Sequence, residues 1–307
     1  MAVWVDTTAS STIPPTAWVA GKEEDGTPYY VVRGNNPDDP CYRMAGKFHP
    51  NSDGAYMANW TKVCKAKEFQ ILTLSSESNI ALIWLTIDKN TCAPPNSFIV
   101  MPDHHFCIAR AEVGNSWYPG VVNVDNNVCH VCINEGNETK LVKLDDWQVL
   151  VEEPINGAKW VETIGNKIPE HAWQAGHESD GKPLFLAYNT SVGKLGPHMN
   201  RASVAHNGYT LEFDYSWVLT LPPDAKVTLK WVNVKKKEDI PSNACKITTT
   251  AYLSPDAVRI ARAEHKNGMQ PGIYYNKDNY CLIPVQKNEK GKATKKKSFQ
   301  ILTVEPL

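Results

Sequence analysis

The sequence predicts an all-β protein of two tandem, pseudo-two-fold repeat pairs, each built of short antiparallel strands in a sandwich- or prism-like arrangement. Three observations carry this. Residues 13–34, IPPTAWVAGKEEDGTPYYVVRG, return as residues 168–187, IPEHAWQAGHESDGKPLFLA. The anchors Ile13/Ile168, Gly21/Gly176, Asp25/Asp180, Gly26/Gly181 and Pro28/Pro183 share one offset of 155 positions, which indicates duplication. Apolar runs such as 29–32, 98–101, 106–109, 281–285 and 299–304 are short, broken by Gly, Pro, Asn and Asp every 8 to 12 residues or so. No stretch sustains a helical period.

The repeated stretch explains itself locally. Pro14-Pro15 and the acidic run ending in Asp25-Gly26 are turn chemistry, since Pro fixes φ and Asp-Gly tolerates positive φ. The flanking residues 17–20 and 29–32 are aromatic or β-branched and too short for helices. The reading is strand, acidic hairpin turn, strand.

Four units follow along the chain, at about 4–74, 84–151, 160–221 and 231–304. They open on Trp4, Trp84, Trp160 and Trp231, each followed by an aliphatic residue, and close on runs begun by Phe69, Trp147, Trp217 and Phe299. The second and fourth share a pattern of their own: residues 108–112 (IARAE) match 260–264 at an offset of 152. Pro119-Gly120 matches Pro271-Gly272, and Cys129 matches Cys281. The chain therefore reads A-B-A′-B′, with a first pair at 1–153 and a second at 154–307 across a seam holding Pro154, Asn156 and Gly157. The four tryptophans read as packing residues. Arg33, Arg110 and Arg262 end equivalent strands and are expected to brace a neighbouring repeat through a carboxylate, with Glu112 and Glu264 as partners.

Bulk properties narrow the function classes. The 307 residues bury ample core, and no run of about 18 apolar residues could span a membrane. The first residues lack the basic and apolar regions of a secretory signal, so the expected location is the cytosol, or outside the cell by a non-classical route. Eight cysteines that mostly do not recur between the halves suit reduced thiols better than a disulfide framework. The net charge of −1 hides lysine clusters at Lys235, Lys236 and Lys237 and at Lys295, Lys296 and Lys297. Such clusters can attract anionic membranes, but few aromatics interleave them, so no nucleic acid is expected and solvated strand ends are the plainer reading. Cys129-His130-Val131-Cys132 has metal-like spacing without a second pair at finger distance, so no metal is expected. No nucleophile elbow, phosphate loop or dinucleotide fingerprint occurs, and duplication of a whole unit suits repeated binding better than catalysis. The expectation is a non-enzymatic protein without a cofactor.

The assembled pattern is Trp-Val, Ile-Pro, Ala-Gly before an acidic Asp-Gly hairpin, a strand ending in Arg, a later Gly-Lys or Pro-Gly, and a closing aromatic-x-aliphatic-Leu. It resembles the DM-nine repeat family of invertebrate tandem-repeat proteins, some of them mannose-binding lectins of innate immunity. The resemblance covers nearly the whole chain and is most specific in the first and third units. It implies an all-β pair of repeats that binds mannose-type sugar without metal, through an acid after the Ala-Gly and a Lys after the later glycine. Those roles fall on Glu23, with Asp25 replacing or assisting it, and on Lys47. In the third unit they fall on Glu178, with Asp180 nearby, and on Arg201 as the nearest cation. Val121 and Ile273 follow the later glycines of the second and fourth units. Although Asp103 and Asp256 could stand for the acid, those units are expected to be chiefly structural.

The chemistry fits a sugar. A carboxylate accepts hydrogen bonds from vicinal hydroxyls, a cation donates back, and charge-assisted bonds are the stronger kind. Tyr29, Tyr56 or Trp60 could cover the apolar face of the ring. Taken without the resemblance, Glu23 and Asp25 read as a solvated turn and Lys47 as a surface lysine. Several weak sites, in one chain or in a homodimer, would gain strength by multivalency. The rival expectation is a protein- or membrane-binding scaffold that uses the basic fourth unit and has lost sugar recognition.

Overall fold

The computed structural model describes residues 2–36, 39–59, 61–75, 78, 80–87, 92–101, 106–123, 127–135, 138–154, 157–245, 258–275, 279–285 and 291–307. Every strand pairing among them is antiparallel, and they contain no α-helix. Contacts group the chain into two compact units, residues 1–89 with 97–153, and residues 90–96 with 154–307.

In the first unit, β1 (Ala2–Thr8), β2 (Val19–Lys22), β3 (Pro28–Asn36), β4 (Asp39–Phe48), β5 (Ala55–Ala58), β6 (Val63–Ala66) and β7 (Glu68–Leu74) form one sheet. Its order is β1-β7-β3-β4-β5-β6, with β2 beside β3. The second sheet repeats that order. β8 (Ile80–Thr86), β9 (Ile99–Met101), β10 (Phe106–Val113), β11 (Ser116–Asn123), β12 (Val128–Glu135), β13 (Glu138–Leu144) and β14 (Gln148–Pro154) run β8-β14-β10-β11-β12-β13, with β9 beside β10. The opening strand of each repeat thus lies against its closing strand, as in Trp4 opposite Leu72. Alternation along the strands sends Ala20, Val31, Ala45 and Leu72 of one sheet, and Phe106, Ile108, Val121 and Leu150 of the other, into one core. Each large apolar side chain so buried contributes about 1.5–3 kcal/mol.

The second unit repeats the plan twice more. β15 (Lys159–Ile164), β16 (Gln174–His177), β17 (Pro183–Asn189), β18 (Ser191–Leu195), β19 (Ala202–His206), β20 (Tyr209–Phe213) and β21 (Tyr215–Thr220) run β15-β21-β17-β18-β19-β20. β22 (Val227–Val234), β23 (Val258–His265), β24 (Gly268–Tyr275), β25 (Tyr280–Ile283), β26 (Thr294–Lys296) and β27 (Phe299–Pro306) run β22-β27-β23-β24-β25-β26. A bridge between His177 of β16 and Met269 of β24 joins the two runs into one sheet.

The repeated arginines brace the repeats, but through different partners from those expected. Arg33, Arg110 and Arg262 stand opposite Gln70, Gln148 and Gln300 of the closing strands. Each Nε donates to that glutamine's Oε1, at 2.7, 2.8 and 2.6 Å. Each guanidinium also covers the opening tryptophan of its repeat, Trp4, Trp84 or Trp231, at 4.4, 4.7 and 4.6 Å. In the third repeat Tyr188 replaces the arginine and packs edge-on against Trp160. Glu112 and Glu264 are exposed and take no part in this bracing. Arg110 and Arg262 also reach the preceding repeat, where Nη1 donates to the carbonyls of Ala20 and Ala175 at 2.7 and 2.9 Å.

Arg262→Met should therefore lower stability by about 2–3 kcal/mol, through two charge-assisted hydrogen bonds and a cation–π contact. Glu264→Ala should change it by less than about 0.5 kcal/mol. Urea denaturation of both variants checks this, and the reverse ranking would restore the carboxylate brace.

Candidate functional site between paired repeats

The candidate site is built outward from the Ala-Gly pair. On β2 and β16 the pairing slips between Val19 and Gly21 and between Gln174 and Gly176, so each alanine sits in a bulge. The arginine of the following repeat holds that alanine's carbonyl. The glycine beside it permits a close crossing: a Cβ on Gly21 would lie 2.1 Å from the Trp117 carbonyl oxygen, and one on Gly176 would lie 1.9 Å from that of Met269. Two residues on, the chain enters the Asp-Gly turn, with Gly26 at φ 86° and Gly181 at φ 83°. Glu23 and Glu178 occupy its first corner. Their amides donate to Thr27 and Lys182 (both 2.9 Å), and their carbonyls accept from Gly26 and Gly181 (both 3.0 Å).

In the first unit, Lys47 of β4 stands opposite Val31 of β3. Its side chain runs between Tyr29 and Tyr118, with Nζ 4.6 Å from each ring centroid, and it is only 1% exposed. Nζ donates to Asn134 Oδ1 at 3.2 Å. Burial pushes the amine down to about 8, against the opposing pull of the Cys132 thiol and Glu23. The Tyr29 hydroxyl donates to Glu23 Oε1, and burial together with that bond raises the phenol well above its ordinary value. Glu23 Oε2 lies 3.7 Å from His49 Nε2.

The second unit assembles the same types differently. Lys194 of β18 stands opposite Leu186 of β17 and is 2% exposed. Its Nζ donates to Glu178 Oε1 at 2.9 Å and to Gln270 Oε1. The Gln270 amide donates in turn to Glu178 Oε2 at 2.9 Å. His198 Nε2 lies 3.9 Å from Glu178 Oε1. Burial resists ionisation of Glu178, but the bonds from Lys194 and Gln270 outweigh it and hold the carboxyl below its ordinary value. A cavity of about 320 Å³ opens over this group, lined also by Ser179, Pro284 and Val285.

With this geometry in view, comparison with known proteins is informative. Residues 102–191 and 187–292, more than half of the chain, match the model of the DM9 repeat. The chain belongs to the DM9 repeat family. No curated protein matches it. Among solved structures it is similar to the crystal structure of the nematode sperm cell motility protein MFP2B, at 10% identity and a TM-score of 0.41, covering 100% of this chain and 98% of that one. DM9 repeat proteins are known as binding proteins, not enzymes.

The DM9 chain brings Glu23 and Lys47 into one cluster, and it sets Glu178 beside a lysine other than the cation anticipated. Arg201 does not face Glu178. It pairs with Asp214, Nε to Oδ1 at 2.7 Å, in an exposed position just outside the strands. The strand equivalent of Lys47 is Lys194, because each lysine follows the glycine opposite the third strand of its repeat, Gly46 across from Val32 and Gly193 across from Ala187. A Gly-Lys pair was the available signal. It was obscured because the connection from β17 to β18 is a tight turn through Thr190, whereas the corresponding strands of the first unit, β3 and β4, are longer.

Asp25 and Asp180 serve the turn. They accept from the amides of Thr27 at 2.8 Å and Lys182 at 3.2 Å; the Thr27 amide lowers the Asp25 carboxyl, and the Lys182 ammonium, then its amide, lower that of Asp180. Tyr29 is fully buried and cannot cover a sugar ring, and the Tyr56 ring faces Lys65 Nζ at 5.4 Å. Trp60, Asp103 and Asp256 lie outside the described residues. The second and fourth repeats contribute Tyr118, Asn134 and Gln270 to the two clusters. The two lysine runs flank one strand pair, because Val234, just before Lys235, lies opposite Phe299, just after the run 295–297. Lys295 covers the Tyr280 ring at 4.4 Å.

Proposed function

We propose that this protein is a carbohydrate-binding protein that recognises mannose-type glycans through one site in each unit. One observation carries the reading. Both units independently place a carboxylate at the corner of an Asp-Gly turn, over a buried lysine and beside a histidine, in the seam between paired repeats. The carboxylates are the ligand-facing groups, with side chains 30% and 20% exposed for Glu23 and Glu178, while both lysine amines are sunk beneath them. A sugar's vicinal hydroxyls donate to such a carboxylate, and the neighbouring histidine can donate back to a sugar oxygen. In the second unit the lysine beneath supplies charge that helps to keep Glu178 ionised. Two sites in one chain add strength whenever a branched glycan reaches both.

Glu23→Gln combined with Glu178→Gln preserves shape while removing both charges. Retention of the full chain on mannan beads should fall at least about tenfold, the loss expected for charge-assisted hydrogen bonds. Free mannose should elute the unaltered protein. Full retention by the double variant, or elution by salt alone, would overturn this reading and favour association through Lys235–Lys237 and Lys295–Lys297.

A further inference from the structure

The arginines of the second and fourth repeats use Nη1 to hold the preceding repeat, at the carbonyls of Ala20 and Ala175. Arg33 repeats the rest of that arrangement without the last bond. Its Nε donates to Gln70 Oε1 at 2.7 Å, and Gln70 Nε2 donates to Asp6 Oδ1 at 2.8 Å. Its guanidinium lies 4.4 Å over Trp4. Among the described residues, nothing accepts from either Nη group, and Arg33 makes no ion pair. In the second repeat the Trp117 ring packs 4.5 Å from Arg110; the equivalent position here, opposite Asn35, carries Arg43. Burial, then the like charge of Arg43, push the Arg33 guanidinium down to about 10, and the attraction of Asp6 does not offset them. The fork is thus fixed in place, partly dehydrated and short of a counter-charge. A cavity of about 640 Å³ opens over it, lined also by Thr8, Ser11, Asn35 and Glu68.

We infer that this cavity binds a hydroxylated monocarboxylate, with the carboxylate seated on both Nη groups of Arg33. A planar guanidinium held at Nε presents its two terminal N–H groups side by side, matching the two oxygens of a carboxylate. One carboxylate is the limit, because Asp6 and Glu68 on the same wall would repel a second. The same acids accept hydrogen bonds from ligand hydroxyls, and the Thr8 and Ser11 hydroxyls, 2.7 Å apart, add neutral partners. The volume suits a small organic molecule. The fourth repeat supplies the contrast. An equivalent cavity of about 490 Å³ opens over Arg262 and Gln300, but there Nη1 already holds the Ala175 carbonyl. Of the three repeated arginines, Arg33 alone keeps both Nη groups for a ligand. The cavity shares no residue with the Glu23–Lys47 cluster, so it stands whether or not that cluster binds sugar.

Isothermal titration of the full chain with gluconate, acetate and glucitol tests this. Gluconate, with one carboxylate on a hydroxylated chain, should bind at about one site per chain. Acetate, which lacks the hydroxyls, and glucitol, which lacks the carboxylate, should each bind at least about tenfold more weakly. Arg33→Lys keeps the charge but removes the fork, and should weaken gluconate at least about tenfold. That change also disturbs the Gln70 brace, so circular dichroism checks its fold and Asn35→Asp serves as a second variant. Asn35 is exposed and outside the brace. An aspartate there sets a resident carboxylate beside the fork, and the same weakening is expected. Acetate or glucitol binding as tightly as gluconate would overturn the inference. So would no gluconate binding, or an unchanged affinity in Asn35→Asp or in a folded Arg33→Lys. A stoichiometry near two would overturn the role of the open fork, because the cavity over Arg262 would then serve equally.

Discussion

Lys47→Met should make the protein more stable at pH 7, by about 2–3 kcal/mol, while lowering its retention on mannan. The expectation follows from the burial that pushes this amine from 10.5 down to about 8. At pH 7 the lysine is charged in both states, and the folded state carries the full desolvation penalty. Between pH 8 and 10.5 the unfolded chain still holds the proton that the native chain has released, so the native lysine becomes relatively more favourable as pH rises. The stabilisation gained by the methionine variant should accordingly shrink across that window and vanish above it. Urea denaturation of both proteins at several pH values reads this as a difference. Thiols such as Cys107 and Cys245, pushed up to about 12 by burial, weaken both proteins at high pH and cancel in that difference. A variant less stable at pH 7 would mean that the contacts with Tyr29, Tyr118 and Asn134 outweigh desolvation. The trade of stability for a charge under the ligand-facing acid is what a binding site, rather than a packing defect, would retain.

Gly176→Ala should be among the most damaging single-methyl changes in the second unit, with a loss above about 3 kcal/mol. The added Cβ would lie 1.9 Å from the Met269 carbonyl oxygen and 3.0 Å from its carbon, and both are backbone atoms of β24. No rotamer relieves that contact. β16 would have to leave β24, breaking the His177–Met269 bridge and drawing Ala175 away from Arg262. Glu178, two residues on, moves with it. The thermal midpoint of this variant should drop by several degrees, while Ser179→Ala, at an exposed neighbouring position, leaves it nearly unchanged. A midpoint for Gly176→Ala equal to that of the Ser179 variant would show that the crossing has room to relax.

The pairing of Glu23 with Lys47 came from the family resemblance, whereas the sequence by itself determined the class of fold and the repeat plan. These are local or periodic properties. Asp-Gly turns, short β-branched runs and a duplication of constant offset act over a few residues or repeat in register, so they are legible without knowing what lies across the sheet. Even the glutamines of the closing runs were present as a pattern, although their partners were not. Only the tertiary structure decided the partners. Arg110 and Arg262 reach back about 90 residues to an alanine carbonyl, and Glu178 meets Gln270 across 92. Side-chain chemistry favours a carboxylate for an arginine, yet register put a glutamine opposite it and left Glu264 in solvent. Register likewise decided between Arg201 and Lys194. Strand pairing, not distance along the chain, sets which cation lies beneath the acid, and a hairpin shortened in the third repeat moved that lysine away from where the first repeat's spacing would put it. The acid at the turn could be read from one dimension; the charge beneath it and the rim around it belong to the seam where two repeats meet.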